Sequence, residues 1–219
     1  ETLLQIHLPS YFYIFIVFCI IILSMTLHEA MHAFVSYWQG DDTAKQDGRL
    51  TLNPIKHIDP IMTIILPIVL YIFNAPIFGG AKPVPFNLNR LRNGEWSVAL
   101  IALVGPLTNL VIAFILFGIL VLLKVDPNSI IGFILSMGVR INLGFFVFNM
   151  IPIPPLDGSR VLYVLAPDFV RRVMDVIEQY GIIVVFAIVM ISSYTNVLEL
   201  IIGNAINLIL SLFSGIFGI

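Results

Sequence analysis

Long apolar runs separated by short polar stretches organise this chain. Residues 11–38 are almost continuously apolar, with Tyr11 and Tyr13 at one end and Tyr37 and Trp38 at the other. A helix rises ~1.5 Å per residue, so this run exceeds a ~30 Å hydrocarbon core and can cross it with tilt. Its length, the absence of a basic leader and the lack of a small-residue cleavage site argue against a signal peptide. The chain begins at Glu1 rather than Met, and we expect that a few residues have been removed. Residues 97–123 and 130–151 read as two further spans, and 176–194 and 197–219 as two more after a polar connection. The run 58–78 differs, because Pro60, Pro67 and Pro76 punctuate it. Proline removes backbone donors and breaks helices, and in lipid those losses need protein or cavity partners.

Composition sharpens this picture. Hydrophobic residues make up 59% of the 219 positions and charged residues 11%, with a mean hydropathy of +1.01. Soluble domains run near 45–50% apolar and roughly 25% charged. The formal net charge of −2 offers no basic surface for phosphates, so nucleic acid is not an expected partner. A single cysteine, Cys19, excludes a disulfide scaffold and a cysteine-rich zinc site. No repeat or linker divides the chain. The expected fold is all-α and polytopic in a lipid bilayer, one domain over residues 1–219, with about five transmembrane helices.

Ionisable groups inside a span are costly and mark functional positions by default. The first span carries three together in the string HEAMH: His28, Glu29 and His32. Residues four apart share a helix face, so both imidazoles can reach one ion, as in the H-E-x-x-H pattern of zinc proteases. Glu29 sits beside them, off that face but within reach of a water on the metal. Buried histidines hydrogen-bonded within a core are the bland alternative, and three desolvated polar groups in one apolar helix argue against it.

A catalytic zinc site commonly has three protein ligands and an open position. The soluble continuation of the motif is absent, since His32 is followed by AFVSYWQG. His7 and His57 lie at span edges and read as interfacial, and Glu95, Asp126 and Asp168 fall in polar connections. Asp157 stands out in NMIPIPPLDG at 149–158, where three prolines abandon helical pairing and Gly158 permits close backbone approach. Combined with HEAMH, it is the best candidate for the third ligand. Gly105 and Asn109, one turn apart, suit close helix packing or a wall of the site. Arg140, the one cation within a span, is expected to snorkel to the opposite interface.

HEAMH, GRLTLNP at 48–54, FGGAKPVP at 78–85, GPLTN at 105–109 and NMIPIPPLDG together resemble the site-2 protease family of intramembrane zinc metalloproteases (peptidase family M50). The resemblance runs from about residue 25 to 165 and is greatest to the compact prokaryotic branch without PDZ or CBS domains. It implies one Zn2+ per chain, held by His28, His32 and Asp157, with Glu29 as catalytic base. It implies a catalytic core over about 10–165, with the helices of 176–219 unassigned. Asn149 would contact the substrate backbone. Gly79 and Gly80, in a short β-like loop near 79–86, would pair with an unwound substrate helix, and Asn109 is carried among the substrate contacts. The expected function is hydrolysis of peptide bonds in or near transmembrane segments of membrane-protein substrates. An inactive metal-binding scaffold and a divalent-metal transporter are the alternatives, and oligomeric state is not legible.

Parity gives the topology. For His28, His32 and Asp157 to meet, the spans at 11–38 and 130–151 must run the same way. One crossing between them preserves that direction, so segment 58–78 should be re-entrant. Lys45, Arg49, Lys56, Lys82, Arg90, Arg92, Arg160, Arg171 and Arg172 then share one side, leaving Lys124 and Arg140 of 11 basic residues for the other. The positive-inside rule makes the first side cytoplasmic, with the active site towards the cytoplasm of a prokaryotic cell membrane.

Overall fold

The first apolar run starts its helix directly after Pro9, which gives no side-chain cap and accepts the Phe12 N–H at its carbonyl. The resulting helix α1, Ser10–Trp38, is the first element of a computed structural model that describes residues 9–73 and 79–219. His7 and the 74–78 part of the run 58–78, Pro76 included, lie outside the described residues. Helix α2, Pro60–Ile72, opens with Asp59 accepting from the Ile61 and Met62 amides. It is built of a 6-residue widened turn and a 7-residue α-helical piece. At ~1.5 Å per residue it is too short to cross a membrane.

Helices α3, Glu95–Leu122, and α4, Ile130–Asn149, complete the centre. Pro106 lies inside α3 and deprives the Ala102 carbonyl of its usual donor, at a residue that borders the cavity described below. Helix directions follow from the contacts. Arg92 N–H and Ser97 Oγ donate to Gln39 at the C-terminal end of α1, whereas Asn109 lies against Ser24, so α3 is antiparallel to α1. Tyr13 meets Phe133, with ring centroids 5.0 Å apart, and Asn142 bonds Ser24, so α4 is parallel to α1. The chain between Trp38 and Glu95 therefore leaves and re-enters the bundle at one end, as parity requires.

The C-terminal part departs from expectation. The stretch 176–194 is not one helix: α6, Asp168–Gln179, and α7, Gly181–Thr195, meet at an angle of 85°. The physical reason is amphipathicity, since Asp168, Arg171, Arg172, Asp175 and Glu178 alternate with apolar residues up to the break at Tyr180. The polar connection before it is itself helical, forming α5, Asp157–Leu165. Helix α8, Val197–Phe217, packs Phe213 and Phe217 against Phe114 and Phe117 of α3. Among the described residues, four helices are long and apolar enough to span, or five if the bent pair counts as one span. The 79–86 segment is not a strand; among the described residues no strand forms, and its backbone bonds go to turns and side chains instead. Arg140 is exposed midway along α4.

Candidate metal and catalytic site

His28 and His32 face inward from α1 and are nearly buried, their rings edge-to-face with centroids 4.6 Å apart. His32 Nδ1 lies 2.6 Å from the Ile101 carbonyl, which can only accept, so this nitrogen carries the proton. His28 Nδ1 lies 2.6 Å from Asn109 Oδ1. The Asn109 amide nitrogen is oriented by two acceptors, Asn142 Oδ1 at 2.8 Å and the Ser24 carbonyl at 3.5 Å. That leaves its oxygen for His28, whose Nδ1 also donates. Both Nε2 atoms are then bare lone pairs, and both point at Asp157 Oδ2, 3.1 and 3.5 Å away.

Three acceptors turned on one point repel one another unless a cation lies between them. Two imidazoles with carboxylates are a zinc donor set, and His28, Glu29 and His32 offer ligand atoms within 4.8 Å of one another. The residues fit the ion. Asp157 opens α5, where the positive end of the helix dipole favours a carboxylate. A Cβ on Gly158 would stand 2.9 Å from the Ile151 carbonyl and closer to Met150, so only glycine lets the proline turn fold against α5. A Cβ on Gly105 would stand 2.7 Å from His28 Nε2 and nearer to His32 Nε2. Gly105 therefore clears the space that both Nε2 atoms face.

Two cavities, of about 210 and 220 Å3, meet at this point, and His28, Glu29, Asn149 and Pro155 border both. The first is walled by Pro83, Val84, Asp157 and Arg160. The second is walled by Gly79, Gly80 and Ala81 on one side and by apolar Met25, Met62, Phe145, Phe148, Ile182 and Val185. Asn149, at the end of α4, donates one amide hydrogen to Phe145 O at 3.0 Å, and its other amide hydrogen meets no acceptor among the described residues.

Asn109 is the exception among the expected site residues. It is fully buried behind His28, borders neither cavity and holds the imidazole rather than substrate. His57 is also displaced from expectation: it is 2% exposed, with Nε2 donating to Thr51 O, because the 49–57 loop folds over it. Sequence reasoning passed over Asn142, whose amide donates to Ser24 Oγ at 3.0 Å and Gly138 O at 2.8 Å. The chain shows an Asn within an apolar span, a costly polar group, but not the partner that it serves. Outer partners of metal-binding histidines typically contribute about 10–100-fold in metal affinity. Asn109→Leu should therefore weaken zinc binding by about 10–100-fold in competition with a chelator, and Asn142→Leu by less. Unchanged affinity in Asn109→Leu would remove the amide from this role.

Relatives bear on the same residues. The sequence profile of peptidase family M50 matches residues 124–192, which include Asn149 and Asp157. Over 204 residues the chain is 39% identical to YwhC of Bacillus subtilis, whose name is that of a zinc metalloprotease, and the alignment covers 90% of each protein. The chain belongs to peptidase family M50. Rip2 of Mycolicibacterium smegmatis, likewise named for a zinc metalloprotease, is 28% identical over 165 residues, covering 75% of this chain and 62% of the relative. MJ0611 of Methanocaldococcus jannaschii is 48% identical over 62 residues, covering 28% and 31%. No solved structure matches. This M50 protein is a multi-pass membrane zinc metallopeptidase, and its resident metal is Zn2+.

Proposed function

We propose that this protease hydrolyses peptide bonds within or next to the transmembrane segments of membrane-protein substrates. In this reading His28, His32 and Asp157 hold the zinc and Glu29 is the catalytic base. The observation that carries the proposal is the apolar wall of the second cavity. Met25, Phe145, Phe148, Ile182 and Val185 line a route to a histidine pair set inside a membrane-spanning helix. A soluble peptide gains nothing from such a wall; a hydrophobic segment does.

Zinc, when bound, supplies a Lewis acid that makes water more acidic and polarises a scissile carbonyl. The chain's own groups do the rest. Glu29 borders both cavities beside the histidines, placed to take the proton of the attacking water and pass it to the leaving amine. The free amide hydrogen of Asn149 is available to the peptide carbonyl as negative charge develops there. A helical substrate hides its carbonyls in i to i−4 bonds, so it must unwind, and the extended loop at 79–86 can replace those bonds by strand addition. The direct assay places the purified protein in proteoliposomes with a membrane-spanning test substrate. Cleavage should stop on chelation and resume with zinc.

The active site is assigned to the cytoplasmic side of a prokaryotic cell membrane on the distribution of basic residues. Cys19 is the only thiol to remove, so single cysteines at Asp47 and Asn93 can report sidedness. Both should react with a membrane-impermeant reagent only from the cytoplasmic face. Labelling of the two from opposite faces would mean that 58–78 crosses, against the shared end of α1 and α3.

A further inference from the structure

The loop that borders both cavities is held from one side only, and at alternate residues. The Gly80 N–H donates to Met62 O at 3.2 Å, and its carbonyl accepts from Thr63 Oγ1 at 2.6 Å. The Lys82 N–H donates to His57 O at 3.0 Å, and its carbonyl accepts from the Arg49 guanidinium. In extended backbone, residues two apart turn their N–H and C=O groups the same way and intervening residues turn theirs oppositely. Ala81 therefore offers its N–H and C=O to the other side, and it borders the cavity that His28, Glu29 and Asn149 share. The next residue on that edge, Pro83, has no N–H. Ala81 is the last donor position of that edge before the proline.

Arg49 is the unusual member of this clamp. It is 3% exposed, yet its Nε and Nη1 find no acceptor among the described residues. A buried guanidinium with idle donors is costly, and nothing in the metal site uses it. Burial draws its pKa down from the ordinary value, and the carboxylates of Glu29 and Asp47 oppose that shift. The side chain thus joins the loop at Lys82 to the electrostatic surroundings of Glu29.

We propose that Arg49 is a positioning residue that sets the register of the bound peptide. Together with the backbone of His57 it holds Lys82 so that the Ala81 edge faces the cavity beside Glu29. This inference rests on the intramembrane protease reading. A strand that pairs with a fixed edge presents one carbonyl to the base; an edge free to slide presents several. Arg49→Met keeps the length of the stem and removes the clamp. It should retain one zinc per chain, cut kcat/KM by about tenfold or more, and spread cleavage over neighbouring bonds in product mass spectra. Arg49→Lys, which can still reach a carbonyl, should restore a single dominant product.

Two further measurements keep the test decisive. Ala81→Pro removes an N–H with no partner among the described residues and keeps residue 81 in the extended region, so a variant that retains zinc should lose about tenfold or more in cleavage. In a Cys19→Ser background, Ala81→Cys should be labelled severalfold faster when Arg49→Met is added, a readout independent of proteolysis. Cleavage by Arg49→Met at the wild-type bond and rate, with unchanged labelling, would overturn the proposal. So would wild-type cleavage by Ala81→Pro. Wild-type protein that cleaves no membrane-spanning substrate would sink the parent reading, and the labelling contrast would then decide the clamp alone.

Discussion

Glu29→Gln should leave zinc in place and nearly abolish cleavage of a membrane-spanning substrate. The side chain keeps its shape and loses only its capacity to take a proton. General acid–base catalysis contributes about 10²–10⁴-fold, so turnover in proteoliposomes should fall by that factor. Metal content measured on the same preparation separates the possible roles. Full zinc with lost turnover is the signature of a base that is not a ligand. Loss of zinc would make Glu29 part of the metal shell, and turnover within threefold of wild type would remove it from the reaction altogether. The placement of Glu29 on both cavity walls, adjacent to but off the face shared by His28 and His32, motivates the first outcome.

Asp157→Ala should have an effect as large by a different route. With only the two imidazoles left to bind, stoichiometric zinc and all cleavage should be lost. Stability supplies an independent readout. Ligands that bind the folded state raise its stability by RT ln(1 + [L]/Kd), so zinc should raise the Tm of the wild type and leave that of Asp157→Ala unmoved. A variant that kept zinc, cleavage and the zinc-dependent Tm shift would place the third ligand elsewhere.

The membrane-spanning helices and the clustering of His28, Glu29 and His32 were legible in the chain because each rests on local chemistry. A run as apolar as 11–38 has no stable state in water, and HEAMH brings two imidazoles to one face by helix periodicity alone. Asp157 was legible because prolines and glycine mark a turn at the end of a span, and parity followed from joining that turn to the first helix. The boundary at Tyr180 was not. Apolar counting over 176–194 merges the last turn of the amphipathic helix α6 with α7, and only the bend of 85° separates them. The roles of Asn109, Asn142 and Arg49 were equally out of reach. Each acts through a partner distant in the chain: Asn109 on His28, Asn142 on Ser24 and Arg49 on Lys82. Sequence spacing reports which residues share a face of one helix. Which of them is drawn to a ligand and which to its support depends on how helices cross, and that is decided by packing between segments 33 to 118 residues apart.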